Sequence, residues 1–126
     1  LAGGGTDVSP YCDQYGGNVL NATIDRYAYA VIRTLDAPVV RFVASDRPET
    51  IELPLAPHCP LDGPLALHRA VYNHMVAEYL GGRPLALELT TFCDSPVGSG
   101  LGSSSTLVVT MIRAFVELLN LPLDDY

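Results

Sequence analysis

From Tyr27 to Leu35, hydrophobic and polar character alternates. Tyr27, Tyr29, Val31, Arg33 and Leu35 fall on one side, and Ala28, Ala30, Ile32 and Thr34 on the other. A period of two residues predicts a β-strand. The same period returns over 39–45 and 50–55, with Asp46-Arg47-Pro48-Glu49 as the turn between them. It returns again over 85–92, where Leu85, Leu87, Leu89 and Thr91 oppose Ala86, Glu88, Thr90 and Phe92.

Two stretches have a longer period. Leu67, Val71, Met75 and Tyr79 recur every four residues, which predicts a helix with that row on its buried face. Asp62 is its expected cap, Pro64 lies near its first turn, and Gly81-Gly82 before Pro84 should end it. Val108, Met111, Ile112, Phe115, Val116 and Leu119 predict a second helix, closed by Asn120 and Pro122. Residues 121–126 then read as the start of a further element. Five of the ten prolines lie between Pro48 and Pro64, marking an extended, loop-rich stretch. There is no internal repeat.

The chain has 126 residues and is 48% apolar. That suits one domain, which buries roughly two-thirds of its unfolded surface. It begins at Leu1 rather than Met, as a segment cut from a longer chain would. The net charge is −7, and all seven basic residues are Arg, spread singly. No basic stripe exists for nucleic acid or for an anionic membrane, so neither is an expected partner. The absence of Lys also excludes a P-loop, which needs one to reach the β/γ-phosphates. Cys12, Cys59 and Cys93 are odd in number and show no CxxC spacing, so neither a disulfide framework nor a zinc ribbon is expected, and the expected location is cytoplasmic. No run approaches the roughly eighteen apolar residues of a spanning helix, and no signal peptide is recognisable.

Candidate chemistry lies where the fourth strand meets the second helix. Gly98, Gly100 and Gly102 stand at alternate positions between Pro96 and a helix start near Ser103. Each glycine costs roughly 0.5–1 kcal/mol against Ala in folding, so a bare backbone serves a purpose there. Without Cβ atoms, main-chain N–H groups can converge on an anion, and the helix terminus adds free N–H groups and its positive dipole end. Ser103, Ser104 and Ser105 supply hydroxyls for phosphate oxygens or Mg²⁺. A flexible linker fits poorly between a strand and a strongly periodic helix. A Rossmann loop fits poorly too, because the spacing is G-x-G-x-G. A second glycine-rich stretch, Leu1-Ala2-Gly3-Gly4-Gly5-Thr6-Asp7, precedes the first strand. Spacing alone leaves it open between a simple turn and a small polar ligand site, with Asp7 able to accept hydrogen bonds from hydroxyls.

The segment Pro96-Val97-Gly98-Ser99-Gly100-Leu101-Gly102-Ser103-Ser104-Ser105 resembles the phosphate-binding motif of the GHMP kinases, the family of galactokinase, homoserine kinase, mevalonate kinase and phosphomevalonate kinase. The resemblance implies that Pro96, Gly98, Ser99, Gly100, Leu101, Gly102, Ser103 and Ser104 wrap the phosphates of ATP, with Ser104 as a Mg²⁺ ligand. It implies an α+β fold like the second domain of a small-subunit ribosomal protein, a mixed sheet packed by helices with a left-handed βαβ crossover. Residues 1–126 would be part of the ATP- and sugar-binding N-terminal domain. The opening Ala-Gly-Gly-Gly-Thr-Asp resembles the heptose-phosphate kinase branch, where Gly4-Gly5 replaces the Glu-His pair of galactokinase. Gly4, Gly5, Thr6, Asp7 and Tyr11 are the implied sugar-binding residues.

The implied reaction moves the γ-phosphoryl of MgATP to a sugar hydroxyl, the anomeric one of D-glycero-D-manno-heptose 7-phosphate. The alternatives are another sugar acceptor, such as fucose or galactose, or a non-catalytic sugar and nucleotide sensor. No catalytic base is identified within the segment; it is expected after Tyr126, so the segment alone is expected to be inactive. Sheet edges left open should favour self-association. His58, Cys59, His68 and His74 match no metal-ligand spacing. A Cys–His nucleophile has no third residue to orient it. Tyr11, Tyr15, Tyr27 and Tyr29 read as half-buried packing with polar tips; Tyr11 also lies just beyond Asp7.

Overall fold

A computed structural model describes residues 6–20, 22–95 and 100–122. Its elements are α1 (Tyr11–Tyr15), β1 (Ala28–Thr34), β2 (Val39–Ala44), β3 (Glu49–Pro54), α2 (Ala66–Tyr79), β4 (Leu87–Cys93) and α3 (Ser103–Leu119). The four strands form one mixed sheet in the order β1-β4-β2-β3. β1 runs antiparallel to β4 and β2 antiparallel to β3, while β2 and β4 are parallel neighbours with Phe42 opposite Leu89. A parallel pair requires a crossover, and β3 with α2 supplies it. The fold is therefore α+β with a mixed sheet, as expected.

One face of the sheet is dry. Val40, Phe42 and Ala44 of β2 and Leu87, Leu89 and Thr91 of β4 point inward, as their alternation requires. They join Val71, Tyr72, Met75 and Val76 of α2 and Met111 and Phe115 of α3 in one core. Each large apolar side chain buried there stabilises the fold by about 1.5–3 kcal/mol. Tyr72 crosses Phe42 edge to face at 6.0 Å and donates its hydroxyl to the Ala56 carbonyl at 3.0 Å. The other face carries a charged row across all four strands. Arg33 of β1 meets Glu88 of β4 at 2.8 Å, Glu88 meets Arg41 of β2 at 2.8 Å, and Arg41 meets Glu52 of β3 at 2.6 Å. Both arginines hold the Glu88 carboxyl below its usual range.

Two helix expectations need correction. Val71 and Met75 of the expected row are buried and Leu67 packs against the core, but the buried side of α2 also takes in His68, Arg69, Tyr72 and Val76 and leaves out Tyr79. A row of every fourth residue drifts about 40° per step around a helix of 3.6 residues per turn, so Tyr79 ends 39% exposed. Asp62 does not cap α2. The residue before the helix is Leu65 in the left-handed region (φ 52°), with no side-chain cap. Arg69 instead ties down the segment that leads into the helix. Its guanidinium, within a residue only 2% exposed, donates to the backbone carbonyls of Pro60, Asp62 and Pro64. Asn73 completes the attachment of the proline-rich stretch, accepting from the Cys59 N–H at 2.7 Å and donating to its carbonyl at 2.8 Å.

The expected ends hold. Gly81 and Gly82 both adopt positive φ after α2, and Asn120 caps α3 at φ 50°. The turn between β2 and β3 occupies 45–48.

Candidate functional site

β4 ends at Cys93, and α3 begins ten residues later at Ser103, so the loop between them is fixed at both ends by the core. Asp94 closes the strand end. Its N–H donates to the Tyr27 carbonyl at 2.9 Å, and its carboxylate accepts from the Tyr27 N–H at 3.4 Å. Behind β4, the Thr91 hydroxyl lies 2.8 Å from His68 Nε2, and its carbonyl accepts from the Ser45 N–H at 2.7 Å. Thus α2 and the β2–β3 turn both brace the strand that delivers the loop.

Gly100 and Gly102 have φ of 71° and 74°, with Leu101 between them. A side chain is strained in that backbone state whatever the space around it. Among the described residues, nothing lies within 4 Å of where a Cβ would stand at either position, so the loop surface is open. Gly102 is the residue before α3, and no side chain caps the helix. Its carbonyl accepts from both the Thr106 N–H and the Thr106 hydroxyl, each at 3.0 Å. The amides of Ser103, Ser104 and Ser105 have no intrahelical partner at a helix N-terminus and bond no other described residue, and Ser104 and Ser105 are exposed. An open left-handed glycine pair leading into uncapped amides fits a polyphosphate. For Mg²⁺ the fit is partial. Ser104 offers one hydroxyl, and among the described residues no group of three His, Cys, Asp or Glu is gathered to hold a metal. Phosphate oxygens would have to supply further ligands. Pro96, Gly98 and Ser99 of the expected cradle lie outside the described residues.

The second candidate stretch is held differently. Thr6 and Asp7 are exposed, and the Thr6 hydroxyl donates to the Asn18 carbonyl at 3.0 Å. Gly17 allows this approach, because a Cβ there would collide with the Thr6 carbonyl oxygen. The sequence alone assigns Gly17 no role, since a contact between residues eleven apart leaves no local signal. Ser9 bonds the Asp13 carboxylate, and Tyr11 lies 5.2 Å from Tyr15 across α1. No hydrogen bond among the described residues joins 6–20 to 100–105. Gly4 and Gly5 lie outside the described residues. The tyrosines are more open than expected: Tyr15 is 74% exposed, and Tyr11, Tyr27 and Tyr29 are each exposed as well. Among the described residues β1 lies at the edge of the sheet, and α1 buries none of its residues.

The remaining polar candidates are structural. Cys59 is buried, and burial pushes its thiol up, away from a nucleophile. His68 is 1% exposed, and burial together with the nearby Arg47 lowers it to about 4, so it is neutral near pH 7. Its Nδ1 is buried without a hydrogen-bond partner among the described residues.

Comparison with known proteins agrees with this geometry. Residues 66–126 match the family described as GHMP kinases N terminal domain. A D-glycero-alpha-D-manno-heptose 7-phosphate kinase from Campylobacter jejuni is 44% identical over all 126 residues, and the chain spans 37% of that relative's length. The crystal structure of a D-glycero-D-manno-heptose 1-phosphate kinase from Bacteroides thetaiotaomicron superimposes with a TM-score of 0.87 at 44% identity, over 99% of this chain and 40% of the other. Mevalonate kinase from Methanococcus jannaschii shares the fold, with a TM-score of 0.71 at 19% identity over 80% of this chain and 33% of its own. Residues 66–126 are thus similar to a GHMP kinase N-terminal domain, on a chain similar along its whole length to kinases of heptose phosphates.

Proposed function

We propose that residues 1–126 are the ATP- and sugar-binding part of a kinase that transfers the γ-phosphoryl of MgATP to a sugar hydroxyl, with the anomeric hydroxyl of a heptose 7-phosphate as the acceptor. The observation that carries this reading is the loop before α3, where two left-handed glycines flank Leu101 and open onto three uncapped serine amides. The similarity to heptose-phosphate kinases supports the acceptor.

In this reading the amides of residues 102–105 hold and orient the polyphosphate, and α3 contributes its positive end without bringing a cationic side chain. MgATP supplies the phosphoryl group, and its metal offsets charge that an acidic chain does not. The Ser104 hydroxyl faces the metal. Asp7, Thr6 and Tyr11, with Gly4 and Gly5, engage the sugar; the Asp7 carboxylate accepts from its hydroxyls. The base that takes the acceptor proton comes from outside these residues, and the place of action is cytoplasmic. Ser104→Ala in the full-length gene product should lower kcat about 10²-fold or more with a heptose 7-phosphate, as expected for removal of one stabilising contact. Turnover near that of the unaltered enzyme would refute the assignment of Ser104. MgATP binding without any phosphoryl transfer, on any sugar, would favour a sensor.

A further inference from the structure

The two candidate stretches are rooted on one rung of the sheet. The stretch that holds Thr6 and Asp7 enters the sheet at Tyr27, the residue before β1, and the phosphate-loop candidate leaves it at Asp94, the residue after β4. The register that sets Ala28 opposite Cys93 puts Tyr27 opposite Asp94 on the next rung. The bonding there departs from a regular ladder. The Leu35 N–H donates to the Ala86 carbonyl at the other end of the pair, so odd-numbered residues of β1 carry the bonds to β4, and Tyr27 and Asp94 are due to exchange two main-chain bonds. They exchange one. The Asp94 N–H donates to the Tyr27 carbonyl at 2.9 Å, while the Tyr27 N–H donates at 3.4 Å to the Asp94 carboxylate in place of the Asp94 carbonyl. The side chain stands in for the backbone acceptor. The chain bends at Asp94 and Ser95, and its carbonyl leaves the ladder toward the loop without leaving the Tyr27 donor unpaired.

We infer that Asp94 is a positioning residue for the phosphoryl transfer, an inference that rests on the kinase reading above. Acting through the Tyr27 amide, its carboxylate holds the root of the phosphate loop in register with the root of the sugar stretch, and so sets how the acceptor hydroxyl meets the γ-phosphate. Asp94 touches neither substrate nor metal in this role and carries no proton. What the rung needs from it is an oxygen acceptor at this reach, and the charge is incidental. Transfer requires the reacting atoms close and aligned, and a misplacement of about 1 Å costs on the order of 10²-fold in rate. Binding at either stretch alone is less sensitive, because each keeps its own bonds: Thr6 to the Asn18 carbonyl in one, Thr106 to the Gly102 carbonyl in the other.

Steady-state kinetics of the full-length gene product with MgATP and a heptose 7-phosphate tests this, with thermal unfolding to show that each variant is folded. Asp94→Ala should lower kcat at least ~10-fold and leave both KM values within about threefold. Asp94→Asn keeps an oxygen at the same reach without the charge and should restore kcat to within about threefold of the unaltered enzyme; Asp94→Glu moves the oxygen one methylene away and should not. An unchanged kcat in Asp94→Ala overturns the inference, as does a loss that falls on KM alone. Asp94→Asn as slow as Asp94→Ala overturns it too, since that is the behaviour of a base or a metal ligand. Where Asp94→Ala does not fold, the other two variants carry the test, and Asp94→Glu as fast as Asp94→Asn overturns the inference. An unaltered enzyme that transfers phosphate to no sugar refutes the kinase reading and this inference with it, whereas an active enzyme indifferent to Asp94→Ala refutes the inference alone.

Discussion

The stretches 6–18 and 100–105 both bear glycine and both face solvent, yet the molecule holds them by opposite means. Gly100 and Gly102 are needed for a backbone dihedral, with open space around them; Gly17 is needed for closeness, with a carbonyl against it. The phosphate-loop candidate is suspended between two elements of the core. The sugar-site candidate is held by its own short-range bonds, and α1 buries none of its residues. Damage to the core should therefore reach the first and spare the second, while local substitutions should act the other way.

The largest expected effect tests that separation. Leu89→Ala, under the strand that leads into the loop, should cost about 2–5 kcal/mol in urea unfolding. Exchange should quicken at the Thr106 amide, which bonds the Gly102 carbonyl, and stay unchanged at the Gly16 amide, which bonds the Cys12 carbonyl; equal quickening would erase the contrast. Acid comes next. His68 is held at about 4 against roughly 6.5 unfolded, so the unfolded chain takes up a proton first as pH falls. Stability should drop by up to about 3 kcal/mol between pH 6.5 and 4, and His68→Gln should flatten that part of the profile. A slope identical in the variant would remove His68 as its source. Glu88, held low by Arg33 and Arg41, adds a loss below its own unfolded value, and it should remain in the variant.

Gly102→Ala should cost about 1–2 kcal/mol of stability, the penalty of a left-handed non-glycine residue, and weaken MgATP binding by calorimetry. Gly17→Ala should cost about 1 kcal/mol, because its Cβ meets the Thr6 backbone, and should lower affinity for the sugar phosphate because Thr6 and Asp7 must move. If Gly17→Ala unfolds the protein, the stretch is part of the core's cooperative unit and the contrast fails.

Much of the fold was legible because alternation and helical spacing are local. The four strands and α3 lie where the pattern puts them, within a residue or two, while the cap position of α2 falls three residues later than Asp62. The strand order was not legible, since nothing near Leu87 marks β2 as its parallel neighbour. The exposed face of α2 was misjudged at Tyr79 by counting in fours. The anchoring of the 60–64 stretch by Arg69 was not legible, because its guanidinium donates to three carbonyls five to nine residues earlier in the chain. In the site, the glycine–serine loop was readable from composition alone. The support given by Gly17 to Thr6, and by His68 to Thr91, spans eleven and twenty-three residues and shows only in three dimensions.

The order β1-β4-β2-β3 also has a meaning in time. β1 and β2 follow each other in the chain but leave a gap one strand wide, which only residues 87–93 fill. As the chain leaves the ribosome, β2 and β3 can close a hairpin at once, while β1 must wait some fifty residues for its sheet neighbour. Pairing that distant in sequence is slow to form. The last strand is thus the keystone: its arrival joins two separate pieces, completes the charged row through Glu88, and presents the glycine loop in the same step.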